Sequence, residues 1–310
     1  MARPLPFSGK LDSILNGRKP LESEYGRPIV YGEEGNALIG DTIRGEEPSL
    51  VARLGAVELS CITYSTRARW LRRVGVPYPR SVREGMRLNA GFFPATGPQL
   101  DRFSSEFLDA VSQTDVMAVW FNRNEHQIIR RYCPSAAVVG LGSLEAMLYR
   151  EPWSAALAGK VVLVVHPFAR SIESQYHNHR RQLFRNPAVL PEFELKTIRA
   201  VQSIAGNTGG FDSWFDALDE MRDRISAEQF DVAIVGAGAY GLPLAAFAKR
   251  MGKHAIHLGG VTQIFFGING RRWETEYKDS LGKMINEYWV RPTAEETPER
   301  AETVEEGCYW

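Results

Sequence analysis

The chain predicts an α/β fold, with a mostly parallel sheet covered by helices on both faces. Three observations carry this expectation. Short runs rich in Val, Ile and Leu alternate with segments of helical period along the 310 residues. Several runs are apolar throughout rather than alternating, as buried parallel strands are. Near the end, "DVAIVGAGAYGLPLAAFAK" (231–249) passes from a strand-like run through a glycine-rich turn into an apolar helix.

The expected strands are 49–54, 115–120, 136–139, 160–165, 196–201, 231–235 and 255–258. A helix over 99–112 is read from Leu100, Phe103, Phe107, Leu108 and Val111, which share one face at a 3.6-residue period. A second, over 211–225, presents Phe211, Trp214, Phe215, Leu218, Met221 and Ile225 in the same way. Two stretches, 67–98 and 166–191, break the pattern and are expected to be irregular, functional lips. Residues 1–48 read as an N-terminal extension, 49–290 as a single domain, and 291–310 as an extended tail. The tail's aromatic end is expected to dock on the fold or on a neighbouring subunit.

Lys plus Arg and Asp plus Glu both number 37, so the formal net charge is zero. That removes bulk attraction to nucleic acid, and no nucleic-acid partner is expected. No run approaches the roughly 18 to 20 apolar residues of a membrane span, and the first residues lack a secretion signal. Cytoplasmic residence is expected. Cys61, Cys133 and Cys308 are far apart and form no C-x-x-C pair, which argues against a disulfide framework or a structural zinc site.

The spacing of Gly236, Gly238 and Gly241 is G-x-G-x-x-G, in the strand–turn–helix context that favours phosphate. A dinucleotide site also needs an Asp or Glu about 20 residues further on for the ribose. The next strand ends instead in His257, Leu258, Gly259 and Gly260. Only one further strand follows the motif, so the unit is expected to close the sheet rather than open it. Three readings stand: a nucleotide or nucleotide-sugar phosphate, a dinucleotide, or a structural tight turn.

"SLVARLGAVEL" (49–59) reads as a strand, a turn and a helix start bearing Glu58. Glu58 is placed either for chemistry at the carboxyl edge of the sheet or simply for the helix dipole. Arg53 is read either as a ligand group or as one half of a partly buried ion pair. The stretch resembles the "RFGDGE"-type opening of the GT-D glycosyltransferases. "NAGFFP", "PWSAALAGKVVLVVHPF", "LPEFELKTIRAVQSIAG" and "HLGGVTQIFFGINGRRW" are similar to text in bacterial polysaccharide-biosynthesis proteins, over roughly residues 45 to 280.

The resemblance implies a Rossmann-like, GT-D-like domain that moves a sugar from a nucleotide-sugar co-substrate to a glycan or lipid-linked glycan acceptor. It leaves room for peripheral membrane association and homo-oligomers. It also implies Mn or Mg on an Asp-x-Glu pair, and here the sequence departs. Glu58 matches the glutamate, but Ala56 stands at the aspartate, and one carboxylate holds a hard cation poorly. The rival readings are an NAD(P)- or flavin-dependent oxidoreductase acting on sugars and a non-catalytic nucleotide-binding or scaffold protein.

The expected catalytic residues are Glu58 and His166, which follows a strong apolar strand. The expected donor-binding set is Arg53, Gly55, Gln202, Ser203, Gly236, Gly238, Ala239, Tyr240, Gly241, His257 and Gln263. Asn89, Asn207, Thr262, Arg271 and Arg272 are further polar candidates near the same edge. Phe92 and Phe93 offer stacking or packing surface. Arg170, Gln175, His177, His179, Arg180 and Arg181 are read as a basic lip or a solvated helix face.

Overall fold

The computed structural model describes residues 19–67, 76–279, 281–304 and 306–310. Its centre is one eight-stranded sheet in the order β1-β4-β3-β2-β8-β7-β5-β6, with every pairing parallel. The strands are β1 (Ile29–Val30), β2 (Leu50–Arg53), β3 (Val116–Val119), β4 (Ala137–Gly140), β5 (Val161–His166), β6 (Glu194–Arg199), β7 (Val232–Val235) and β8 (His254–His257). All seven strands expected from the apolar runs are present. β1 is additional, because two residues are too short for a periodicity to register.

The side-chain alternation of the strands divides the core between two faces. On one face Leu50, Ala52, Leu163, Val165, Ala233 and Val235 meet α2 (Ala56–Arg67), α3 (Arg80–Leu88), α4 (Gly97–Ser112), α5 (Glu125–Tyr132), α7 (Trp214–Ser226) and α8 (Gly241–Arg250). On the other, Val51, Val162, Val164, Val232 and Ile234 meet α1 (Gly32–Arg44), α6 (Ala169–Leu183) and α9 (Val261–Phe265), with α10 (Arg271–Thr275) beyond. This is the doubly covered α/β sheet that the continuous apolar runs require. Among the described residues, no helix is long and apolar enough to cross a membrane.

Four expectations need correction. Residues 29–44 are not an extension: β1 pairs with β4, and α1 packs Ile39 and Ile43 into the core. The 67–98 stretch contains α3, whose few apolar residues, Val82 and Met86, hid it among arginines. Its segment 68–75, like residues 1–18 of the expected extension, lies outside the described residues. The 166–191 stretch holds α6, which buries Ile172, Tyr176 and Leu183. Finally, β8 does not close the sheet at an edge. It inserts between β7 and β2, at the centre.

That last point positions the site. From β2 the chain moves to β3 on one side, whereas β8 is reached from β7 on the other. The carboxyl ends of β2 and β8 therefore flank a point where the connections diverge, which is where open α/β sheets leave a crevice for ligands.

Candidate functional site

Arg53 is the last residue of β2, half-buried at this divergence point. Its guanidinium lies over the Trp120 ring, 5.2 Å from the centroid, and across Gly259. Gly259 has φ +66°, and a Cβ there would stand 2.7 Å from Arg53 Nε and 2.8 Å from Nη2, so a side chain would strain the backbone and push the guanidinium aside. Trp120 is held by its indole N–H, which donates to the Leu54 carbonyl at 3.0 Å. Among the described residues Arg53 makes no ion pair, and its Nε is buried without a hydrogen-bond partner. The ion-pair reading of Arg53 is therefore corrected: this is a positioned guanidinium with its charge uncompensated by contact.

Glu58 lies in the first turn of α2, three residues after Gly55, whose carbonyl accepts from the Leu59 amide at 2.9 Å. Its carboxylate folds back over Gly55, into the space a Cβ would need there. Burial pushes the Glu58 carboxyl above its ordinary range, opposed by its own backbone N–H and by Arg53. Although the residue keeps some exposed surface, its carboxyl end is the sunken part. Glu58 is thus a helix-start carboxylate within reach of Arg53's field.

A second carboxylate stands nearby. Glu145 follows β4 at the same sheet edge, on the corner between the 3-10 turns Leu141–Leu144 and Ala146–Leu148. It is half-buried, and no described residue hydrogen-bonds or ion-pairs with its carboxylate. Burial raises the Glu145 carboxyl to about 7, with Arg53 pulling the other way. Tyr277 lies close enough for both Glu145 and Arg53 to act on its phenol. Sequence reasoning missed Glu145 because "GLGSLEAM" belongs to no periodic element; its one signal was position just after an expected strand.

The glycine turn follows β7, on the other side of β8 from β2. Its glycines answer to the protein's own packing. A Cβ on Gly236 would meet Thr262 Oγ1 at 2.5 Å and His166 Cδ2 at 2.7 Å, and one on Gly241 would meet His257 Nε2 at 2.6 Å. Gly238 has φ +53°, a conformation that favours glycine. Gly238, Ala239 and Tyr240 form a 3-10 turn that runs into α8; the Tyr240 amide donates to the Ala237 carbonyl at 3.1 Å and the Gly241 amide to the Gly238 carbonyl, which leaves the Gly238 and Ala239 amides as the leading donors. The spacing therefore has a structural cause, and the turn still presents donors at the site's edge.

Two imidazoles flank the turn, and both are neutral. His166 accepts from the Phe168 amide through Nδ1 at 3.0 Å, which leaves the proton on Nε2; burial drives its pKa down to about 3. His257 meets the Arg53 carbonyl through Nδ1 at 3.0 Å, which leaves Nε2 as an acceptor; burial, then Arg53, lowers it likewise to about 3. A neutral His166 is a hydrogen-bond donor and a poor base near pH 7.

Other expected contacts are committed elsewhere. Ser203 Oγ donates to the Gly91 carbonyl at 2.6 Å and pairs with Tyr240 Oη at 2.8 Å, and the Tyr240 ring stacks on Trp214. Gln263 donates to the Ile268 and Tyr309 carbonyls. These three are framework. Gln202 is half-buried, with no hydrogen bond to a described residue. Phe92 and Phe93 are core, and Asn207 bonds the Ile204 and Glu299 carbonyls. The basic lip is neutralised: Arg170 pairs with Glu295, Arg180 and Arg181 with Glu192, and Gln175 holds the Gly267 and Tyr288 carbonyls. Thr262 is buried against Gly236, Arg271 pairs with Glu306, and Arg272 lies over Tyr309.

The residues at this edge fit poorly the divalent cation that the sequence resemblance implies. Ala56 supplies no ligand, and among the described residues no group of three or more His, Cys, Asp or Glu side chains is arranged to hold a metal.

No family model and no curated protein matches the chain. Two solved structures are similar to it: a selenomethionine-substituted domain of unknown function 1792, and a structure described as that highly conserved domain with a distinct glycosyltransferase fold. The TM-scores are 0.48 and 0.45, each with 11% identity over 89% of this chain and 94% of the other.

Proposed function

We propose that the protein is a glycosyltransferase that takes a sugar from a nucleotide-sugar and passes it to a hydroxyl of a glycan or lipid-linked glycan. The observation that carries this reading is Arg53. An unpaired guanidinium, seated on a left-handed glycine at the divergence point of an α/β sheet, suits an anion. The diphosphate would lie between Arg53 and the Gly238 and Ala239 amides of the turn. His166 Nε2–H is a further donor on the same edge, and Glu58 orients the start of α2 beside it. The resemblance of "RLGAVEL" to the GT-D opening supports a sugar nucleotide over a free one.

The absence of an acid on β8 and the packing cause of the glycine spacing both weigh against a dinucleotide. Titration with UDP and with NADH, read by tryptophan fluorescence, tests the choice, because Trp120 touches the guanidinium. Saturable UDP binding is expected, with Arg53→Ala weaker by about 10- to 100-fold, the size of a charge-assisted hydrogen bond. Saturable NADH binding without UDP binding would falsify the transferase reading and favour the oxidoreductase. Binding without donor turnover would favour a nucleotide-binding scaffold.

A further inference from the structure

Arg53 and Glu145 present an unusual pair of absences. Opposite charges that share a partly buried edge ordinarily close into an ion pair, since each is costly to leave alone. Each feels the other's field, yet no ion pair joins them within 4.0 Å, and neither side chain contacts another charged partner among the described residues. The backbone explains why they stay apart. Arg53 is pinned over Gly259 and under Trp120, whereas Glu145 is fixed on a corner between two 3-10 turns. The carboxyl edge of the sheet thus carries a pinned cation at the end of β2 and an unpartnered carboxylate just after β4, with β3 between the two strands. A diphosphate suits the first, and a hydroxyl about to lose its proton suits the second.

Resting on the transferase reading, we propose that Glu145 is the base of this site. Its carboxylate takes the proton of the acceptor hydroxyl. The acceptor oxygen forms a bond to the anomeric carbon, and the bond from that carbon to the diphosphate oxygen breaks. The electron pair leaves with the diphosphate against Arg53. One displacement of this kind inverts the anomeric configuration. Glu58 is the weaker candidate, because its carboxylate is turned back on Gly55 and its own amide. Glu145 has no such commitment, and a carboxyl held near 7 by burial is matched to proton transfer at neutral pH.

The test measures released nucleoside diphosphate from a panel of nucleoside diphosphate sugars, with water as the acceptor, for the wild type and Glu145→Gln. UDP affinity and thermal midpoint are measured alongside. Glu145→Gln is expected to lower kcat by about 100-fold or more. Neither UDP affinity nor the thermal midpoint should fall, since the carboxylate has no partner to lose and its burial is a cost that the amide lacks. The wild-type rate should fall below about pH 7 as Glu145 takes up its proton. The charged and titratable groups facing it are Arg53 on β2, Tyr149 on its own segment and Tyr277 beyond α10. Burial keeps both phenols protonated in that range, so the limb should vanish in the variant. The released sugar should carry the inverted configuration. UDP binding with wild-type turnover in Glu145→Gln, a retained acid limb, or retained configuration overturns the role of Glu145 alone. Failure of the wild type to bind UDP overturns the transferase reading, and this inference with it.

Discussion

At the residue scale, the site turns on positions whose meaning is set by a neighbour far away in sequence. Gly259 illustrates this. In the sequence it is one of two glycines ending a strand; in the structure it is the seat of Arg53, two hundred residues away. Gly259→Ala would put a methyl group 2.7 to 2.9 Å from the guanidinium and force a left-handed φ on an L side chain. The backbone term costs about 1–2 kcal/mol. The thermal midpoint should fall by a few degrees. UDP affinity should fall about tenfold or more as Arg53 is pushed off its seat. Wild-type UDP affinity in Gly259→Ala would detach Arg53 from the anion site. Arg53 and Glu58 were legible in the sequence because a strand end and a helix start are local signals. Glu145 was not, since its significance comes from a charge on another strand.

At the scale of elements, the connection from β3 to α5 carries Trp120 to Arg53 and is held against its own preferences. Phe121 and Asn124 have φ of 61° and 66°, each a left-handed conformation for a residue with a Cβ. Glu125 holds the loop. Fully buried, its Oε2 accepts from the Phe121 amide at 3.0 Å and from the Tyr25 hydroxyl at 2.7 Å, while Oε1 has no partner. Burial, against these hydrogen bonds, raises the carboxyl from 4.5 to about 7. The folded protein therefore keeps a proton that the unfolded chain loses. Its contribution is full below about pH 4.5 and declines through pH 7, by about 1.4 kcal/mol per unit at most. Glu125→Gln keeps an acceptor for Tyr25 and has no proton to lose. Urea unfolding should show the variant gaining on the wild type as pH rises from 4.5 to 7. A constant difference across that range would remove Glu125's titration from the stability of the loop. Sequence periodicity located β3 and said nothing of this loop, because its order comes from one buried carboxylate and from Tyr25, a hundred residues earlier.

At the scale of the whole molecule, the chain's last residues return to its centre. The Trp310 carbonyl accepts from the Arg271 amide at 3.2 Å and from Arg291 Nη1 at 2.7 Å, and its indole donates to the Glu296 carbonyl. The Tyr309 ring covers Gly260, next to the Gly259 seat. The aromatic end of the tail is therefore docked on the fold, the first of its two expected places, and Cys308 is buried within it. Removing Tyr309 and Trp310 should cost about 1 kcal/mol for each hydrogen bond lost and weaken UDP binding by loosening the Gly259–Gly260 turn. An unchanged thermal midpoint and UDP affinity in the shortened chain would make the tail a passive cover. The sequence by itself determined the α/β class, seven of the eight strands and the residues at their carboxyl ends, because burial on both faces writes continuous apolar runs into the chain. Only the tertiary structure decided that β8 lies at the centre beside β2, and so which of those ends meet. Strand order is a matter of which faces pair across long sequence separations, and no local pattern records it. The glycine turn drew attention first as a phosphate motif. The pairing of β8 with β2 brings its strand within one strand of Arg53, whose seat Gly259 follows β8.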